Sequence, residues 1–110
     1  MATDQGTVDY ILEQLSDVSG VSARKMFGEY GLFCDGKTIA LICNDQLFVK
    51  PTAEGRAIAV GAVEISPYRG AKPSLLIEAK LWDNRDWLAE LIRTTAEVLP
   101  VPRPKKPKRR

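Results

Sequence analysis

Histidine is missing altogether from this chain of 110 residues. Any catalytic scheme that runs through an imidazole is thereby removed, and so is the commonest metal ligand. Cysteine is nearly missing: Cys34 and Cys43 stand alone and form no CxxC pair. Two thiols at that spacing are too few for a disulfide framework or a typical structural zinc site. No apolar run approaches the roughly 20 residues that cross a bilayer, so no membrane association is expected. The opening Met1-Ala2-Thr3-Asp4-Gln5-Gly6 has neither a basic n-region nor an apolar h-region. No secretory signal is therefore read there, and the expected location is cytoplasmic.

What is present suits one domain. Apolar residues make up 45% of the chain, enough for a core. The charge is unevenly placed. Residues 100–110 carry Arg103, Lys105, Lys106, Lys108, Arg109 and Arg110 and no acid, which leaves ten basic against 14 acidic residues in 1–99. A mildly acidic domain over 1–99 is thus followed by a basic, proline-rich segment over 100–110. That segment is expected to be disordered with a polyproline-like bias. Its six cations are candidate nucleic-acid contacts, able to neutralise phosphates without reading sequence. The alternative role is simply to solubilise.

Val8, Ile11, Leu12, Leu15 and Val18 form the apolar stripe of a helix, with Asp4 or Thr7 as its cap and Ser19-Gly20 as its end. Residues 22–50 predict a three-stranded meander. Asp35-Gly36 is a type I′ hairpin signal and Asn44-Asp45 a weaker second turn. With Cys34 opposite Lys37, a regular ladder pairs Leu32 with Ile39, Tyr30 with Leu41 and Gly28 with Cys43. That register puts Met26, Tyr30, Leu32, Ile39, Leu41 and Cys43 on a core face, and Phe27, Glu29, Phe33, Thr38 and Ile42 on a mixed outer face. It also separates the cysteines by about six residues, roughly 20 Å at ~3.3 Å per residue. A disulfide needs Cα atoms within about 7 Å, so two free thiols are predicted, Cys43 buried and Cys34 near the turn.

Further on, Ala53 to Val60 predicts a short helix capped by Thr52. Residues 63–73, with Pro67, Gly70 and Pro73 around Tyr68 and Arg69, predict an irregular loop. Ser74 to Leu81 predicts a strand. A final helix is expected from Asp83 or Asn84, with Trp87, Leu88, Leu91, Ile92, Thr95 and Val98 inward and Pro100 as its stop. Trp82 and Trp87 are expected to anchor it. The fold class is α+β: an antiparallel meander of about four strands with an N-terminal helix, a short middle helix and a C-terminal helix packed on it.

The segment from Arg24 to Lys37, Arg-Lys-Met-Phe-Gly-Glu-Tyr-Gly-Leu-Phe-Cys-Asp-Gly-Lys, resembles the opening hairpin of the TfoX N-terminal domain family, also called Sxy-like. The motif positions are Arg24, Lys25, Met26, Phe27, Gly28, Tyr30, Gly31, Asp35 and Gly36. Ile39 to Ile42 and Leu47 to Lys50 are similar to the family's next two strands. The resemblance is specific over 24–50 and looser over 51–99. It implies kinship with bacterial regulators of natural competence that act with other regulators at promoters, here as a stand-alone N-terminal domain without their C-terminal domain. It implies no catalytic, cofactor-binding or metal residue.

The expected role is a non-enzymatic regulatory or protein-interaction module without a cofactor or small-molecule substrate. A protein partner or self-association through the mixed face or an edge strand is expected. The alternative is non-specific nucleic-acid association through the basic segment. A weaker possibility is a small enzyme in which Glu29, Glu64 and Glu78 converge. Another weak possibility is a reactive Cys34 beside Lys37.

Overall fold

A computed structural model describes residues 3–26 and 29–99. Phe27, Gly28, the Met26 side chain and the whole basic segment lie outside the described residues. Helix α1 spans Gln5–Gln14, and the Asp4 carboxylate caps it by accepting from the Gly6 amide. Its stripe runs past the helix into the next turns, where Leu15 and Val18 are buried with Val8 and Ile11.

Six antiparallel strands follow, rather than about four. They are β1 (Val21–Met26), β2 (Glu29–Cys34), β3 (Lys37–Cys43), β4 (Gln46–Val49), β5 (Glu64–Ile65) and β6 (Ser74–Ile77). Their spatial order is β1-β2-β3-β4-β6-β5. The first four make the meander, and β6 docks on β4 with the short β5 beyond it. One extra strand, β5, comes from the stretch expected to be an irregular loop, and the other comes from a reversal inside the family motif. Met26 faces Glu29 and Val21 faces Cys34, so residues expected as one strand form a hairpin.

Both turn signals hold. Asp35 and Gly36 have positive φ, as do Asn44 and Asp45. A type I′ turn demands this at both central positions. The first turn sets Cys34 against Lys37 and Phe33 against Thr38, but Leu32 then faces Ala40. This β-bulge leaves Ile39 as an extra residue and reverses the facing of everything beyond it. Tyr30 consequently pairs with Ile42, and Gly31 with Leu41. Ile42, expected outside, is fully buried, whereas Leu41, expected in the core, is only half-buried. Cys43 also turns to the outer side and is buried there.

Helix α2 (Ala53–Ile58) is capped by the Thr52 hydroxyl, which accepts from the Gly55 amide at 2.8 Å. Ser74 to Leu81 does not remain extended. After Ile77 the chain turns into the single-turn helix α3 (Ala79–Trp82), and the Trp82 indole donates to the Ile77 carbonyl at 3.0 Å. Helix α4 (Arg85–Val98) is capped by Asn84 and buries Leu88, Ala89, Leu91, Ile92, Thr95 and Ala96. Val98, expected to face inward, is exposed. The Lys37 ammonium donates to the Ala96 carbonyl, which places a cation where the helix dipole favours one.

One core joins these elements. Leu32, Ala40, Ile42, Leu47, Val49, Leu75 and Ile77 from the sheet meet the apolar faces of α1 and α4. No helix among the described residues is long and apolar enough to cross a membrane.

Candidate functional site

The face of the sheet turned away from α1 and α4 is the unusual surface. Pairing places Arg24, Gly31, Leu41, Phe48 and Leu76 in one row across five strands. Every second residue of a strand shares a face, so all five side-chain positions look outward. On this face the Arg24 guanidinium lies 5.2 Å from the centroid of the Phe33 ring, a cation–π contact. Gly31, the second member of the row, is buried.

Residues 66–73 fold beside this row. The Ser66 hydroxyl donates to the Ala71 carbonyl at 2.7 Å, and the Ala71 amide donates to the Tyr68 carbonyl at 3.0 Å. Gly70 has a φ of 89°, which glycine adopts without strain. Pro67 is buried and Tyr68 is 59% exposed. Loop and sheet together border a groove of about 570 Å³. Leu41 and Phe48 form its floor, and Thr38, Lys50, Tyr68, Lys72 and Ser74 stand on its walls.

The charges around the groove are one-sided. Lys50 and Lys72 line it, and exposed Arg69 belongs to the same loop. Among the described residues no carboxylate lines it. Glu64 is nearby in sequence but pairs with core-facing Leu75, so it points to the helix side. There Arg56 grips it at 2.7 and 3.2 Å and holds its carboxyl below the ordinary range.

The acids of the outer face sit at its opposite end and are occupied. The Glu29 carboxylate accepts from the Thr3 amide at 3.1 Å, from the Thr3 hydroxyl, and from the Asn44 amide at 3.3 Å. The Asp45 carboxylate accepts from the Asp4 amide at 2.8 Å and the Thr7 hydroxyl at 2.9 Å. These bonds clasp the start of α1 to the β3–β4 turn. Glu78 lies 3.4 Å from Lys80 in the open. Glu29, Glu64 and Glu78 therefore each meet a different partner and do not converge.

The motif residues split between roles. Arg24 and Gly31 lie on the outer row. Lys25 is an exposed neighbour of Tyr30, whose hydroxyl donates to the Gln5 side chain at 2.7 Å. Asp35 and Gly36 make the turn, and the Asp35 amide donates to the Gly20 carbonyl at 3.1 Å. Gly20 is needed there, since a Cβ would lie 2.2 Å from the Asp35 carboxylate. The Met26 side chain, Phe27, Gly28 and the six basic residues from Arg103 to Arg110 lie outside the described residues.

Cys34 lies in the core, and its thiol donates to the Ser19 carbonyl at 3.4 Å. Burial raises its pKa, Asp35 adds to that rise, and Lys37 opposes it. Cys43 is raised by burial and by Glu29. Neither thiol has the lowered pKa that makes a nucleophile. Both are free.

In the sequence Phe48 and Lys50 read only within a strand of the family resemblance, and Leu76 and Lys72 do not read as site residues. The irregular 63–73 stretch was a partial signal, but nothing local shows that it folds back over the outer face. A second hollow of about 360 Å³ lies at the β5 edge, beside the half-buried Trp87 and the exposed apolar Val60, Val63 and Leu81.

The TfoX N-terminal domain profile matches residues 13–99. An uncharacterised 12.7 kDa protein in the trpE 5′ region of Spirochaeta aurantia is 32% identical over 108 residues, covering 98% of this chain and 93% of that protein. The profile takes in the whole sheet and α2, α3 and α4 but omits most of α1.

Proposed function

The chain belongs to the TfoX N-terminal domain family, and from that premise we propose that it is a non-enzymatic regulatory module acting in the cytoplasm, which docks a macromolecular partner on the outer face of its sheet. The observation that carries this reading is the groove itself. Its floor is apolar, its walls carry Lys50 and Lys72, and among the described residues no carboxylate lines it to pair with those cations. A surface of that kind has unmet affinity for an anionic or mixed partner. The chemistry of the described residues supports binding over catalysis. The carboxylates are dispersed, the thiols are buried, and histidine is missing.

The test is a photo-crosslinking residue placed at Lys72, on the groove wall, and separately at Glu90, on the exposed side of α4. A discrete cross-linked product in cells at position 72, not seen at 90, is the expected result. Equal products at both positions, or none at 72, would sink the docking role.

A second reading is nucleic-acid association through residues 100–110, favoured by six basic residues without an acid. Neutralising those residues should then remove the salt-dependent part of any binding and leave the rest of the chain inert.

A further inference from the structure

A surface that complements the groove in charge is present on the chain itself. Helix α1 exposes Asp9 and Glu13, which are four residues apart and so share one face, and exposed Asp17 follows four residues later. No basic residue occurs before Arg24. Asp9 accepts from the Gln5 side chain at 3.0 Å, and neither Asp9 nor Glu13 is in an ion pair among the described residues. Asp17 lies 3.8 Å from Arg85. Tyr10 stands beside these carboxylates, 37% exposed, with its hydroxyl donating to Asp83.

Helix stability does not account for that pattern. The helix dipole favours carboxylates in a first turn and cations in a last one. Yet α1 has no acid in its first turn beyond the Asp4 cap, and no base accompanies Glu13 near its C-terminal end. The other helices differ. On α4 the exposed Asp86, Glu90 and Glu97 are interleaved with Arg85 and Arg93, and on α2 Glu54 has Arg56 close by.

The groove offers the opposite charge. Lys50 and Lys72 stand on its walls above Leu41 and Phe48, and neither is in an ion pair among the described residues. Within one molecule the two surfaces cannot meet, because α1 packs on the helix side of the sheet and the groove opens on the other.

Resting on the docking role proposed above, we infer that the groove takes the acidic face of α1 from a second copy of this chain. Asp9 and Glu13 of the incoming copy answer Lys50 and Lys72, and Tyr10 brings an aromatic edge towards the apolar floor. The contact is heterologous, since groove and helix are different patches on opposite sides of the sheet. Each docked copy leaves one groove and one α1 face open, so assembly runs on into chains or rings instead of stopping at a pair. Exposed ion pairs are individually weak and screened by salt, so the association belongs to concentrated, low-salt solution.

The experiment uses the full chain in sedimentation velocity, across a concentration series at low and at high salt. The parent should grow past two copies as concentration rises and return to monomer in high salt. Lys50→Glu with Lys72→Glu reverses the groove, and Asp9→Lys with Glu13→Lys reverses the helix. Each double variant alone should show a dissociation constant raised about tenfold or more. Mixed in equal amounts the two should associate again, because each then meets opposite charge on the other. All four side chains are exposed, and circular dichroism checks that each variant folds.

A parent that stays monomeric at every concentration in low salt overturns the inference. So does growth that stops at two copies, which needs a patch that pairs with itself. A groove-reversed variant that associates like the parent overturns it as well, since the acceptor is then a cation outside the groove. A mixture that stays monomeric does the same. The cross-link at Lys72 keeps the two levels apart. A product of twice the chain's mass supports the inference. A product with any other macromolecule overturns it while the docking role stands, and no product sinks that role itself.

Discussion

The two faces of the sheet are built from the same strands, yet they serve opposite ends. The helix side holds Leu32, Ala40, Ile42, Leu47, Val49, Leu75 and Ile77, all almost without solvent exposure. The outer side sets Leu41, Phe48 and Leu76 among Arg24, Lys50 and a proline-rich loop. An antiparallel sheet can leave one face to water, and then its strands usually alternate apolar with polar. Here the outer alternation is apolar too, so the strands resemble those of a sheet covered on both sides. The cover on the second side is partial. Residues 66–73 shield Phe48 and leave a groove beside it. One face is closed by α1 and α4, and the other is covered only in part.

The contrast can be broken most sharply at adjacent residues. Ile42→Ala should cost about 3 kcal/mol, within the range for emptying a fully buried site, whereas half-buried Leu41→Ala should cost about 1 kcal/mol. Urea unfolding measures both. The opposite order would mean that the bulge between Leu32 and Phe33 is wrong and that the faces are exchanged.

Next comes the acidic end of the outer face, which is structural rather than open. Glu29→Ala removes the acceptor of three bonds and should cost about 2 kcal/mol. Amide exchange of the first turn of α1 should quicken with it. If exchange stays slow, the clasp from Thr3 to Glu29 is not what seats that helix.

A smaller effect is expected where α2 begins. Thr52→Ala deletes the cap of the Gly55 amide and should cost about 1 kcal/mol in the same unfolding assay. Thr52→Ser should restore most of it, and a Ser variant as weak as Ala would count against capping.

The smallest effect concerns the exposed pair of Arg56 and Glu64. Glu64 has a folded pKa below its ordinary value, so the pair contributes above the unfolded carboxyl pKa and is lost as pH falls through the folded one. Arg56→Gln should leave the urea midpoint nearly unchanged at neutral pH, and the residual difference should vanish on acidification or in high salt. A difference that grows in acid would contradict the assignment.

Much of this was legible in the residues themselves. The stripes of α1 and α4, the cap at Thr52 and the two hairpin turns follow from local chemistry. Asp35-Gly36 tolerates positive φ, and Leu88, Leu91, Ile92 and Thr95 recur at helical spacing. The α+β class and the kinship with TfoX N-terminal domains rest on the same local features. The candidate site was far less legible. The mixed outer face was foreseen, but with Ile42 on it and Leu41 off it. Lys50 and Leu76 read only as parts of strands and Lys72 only as part of a loop, because each is ordinary among its sequence neighbours.

By itself, then, the sequence determined where the chain turns and which segments coil, since φ preferences and apolar period act within a few residues. Tertiary structure alone decided which side of the sheet each residue faces. A single extra residue at Ile39 reverses the alternation, and no residue type announces it. Only tertiary structure, too, brought β6 against β4 and laid residues 66–73 along the outer row, because that pairing joins strands far apart in the chain. The groove exists because of those two long-range choices.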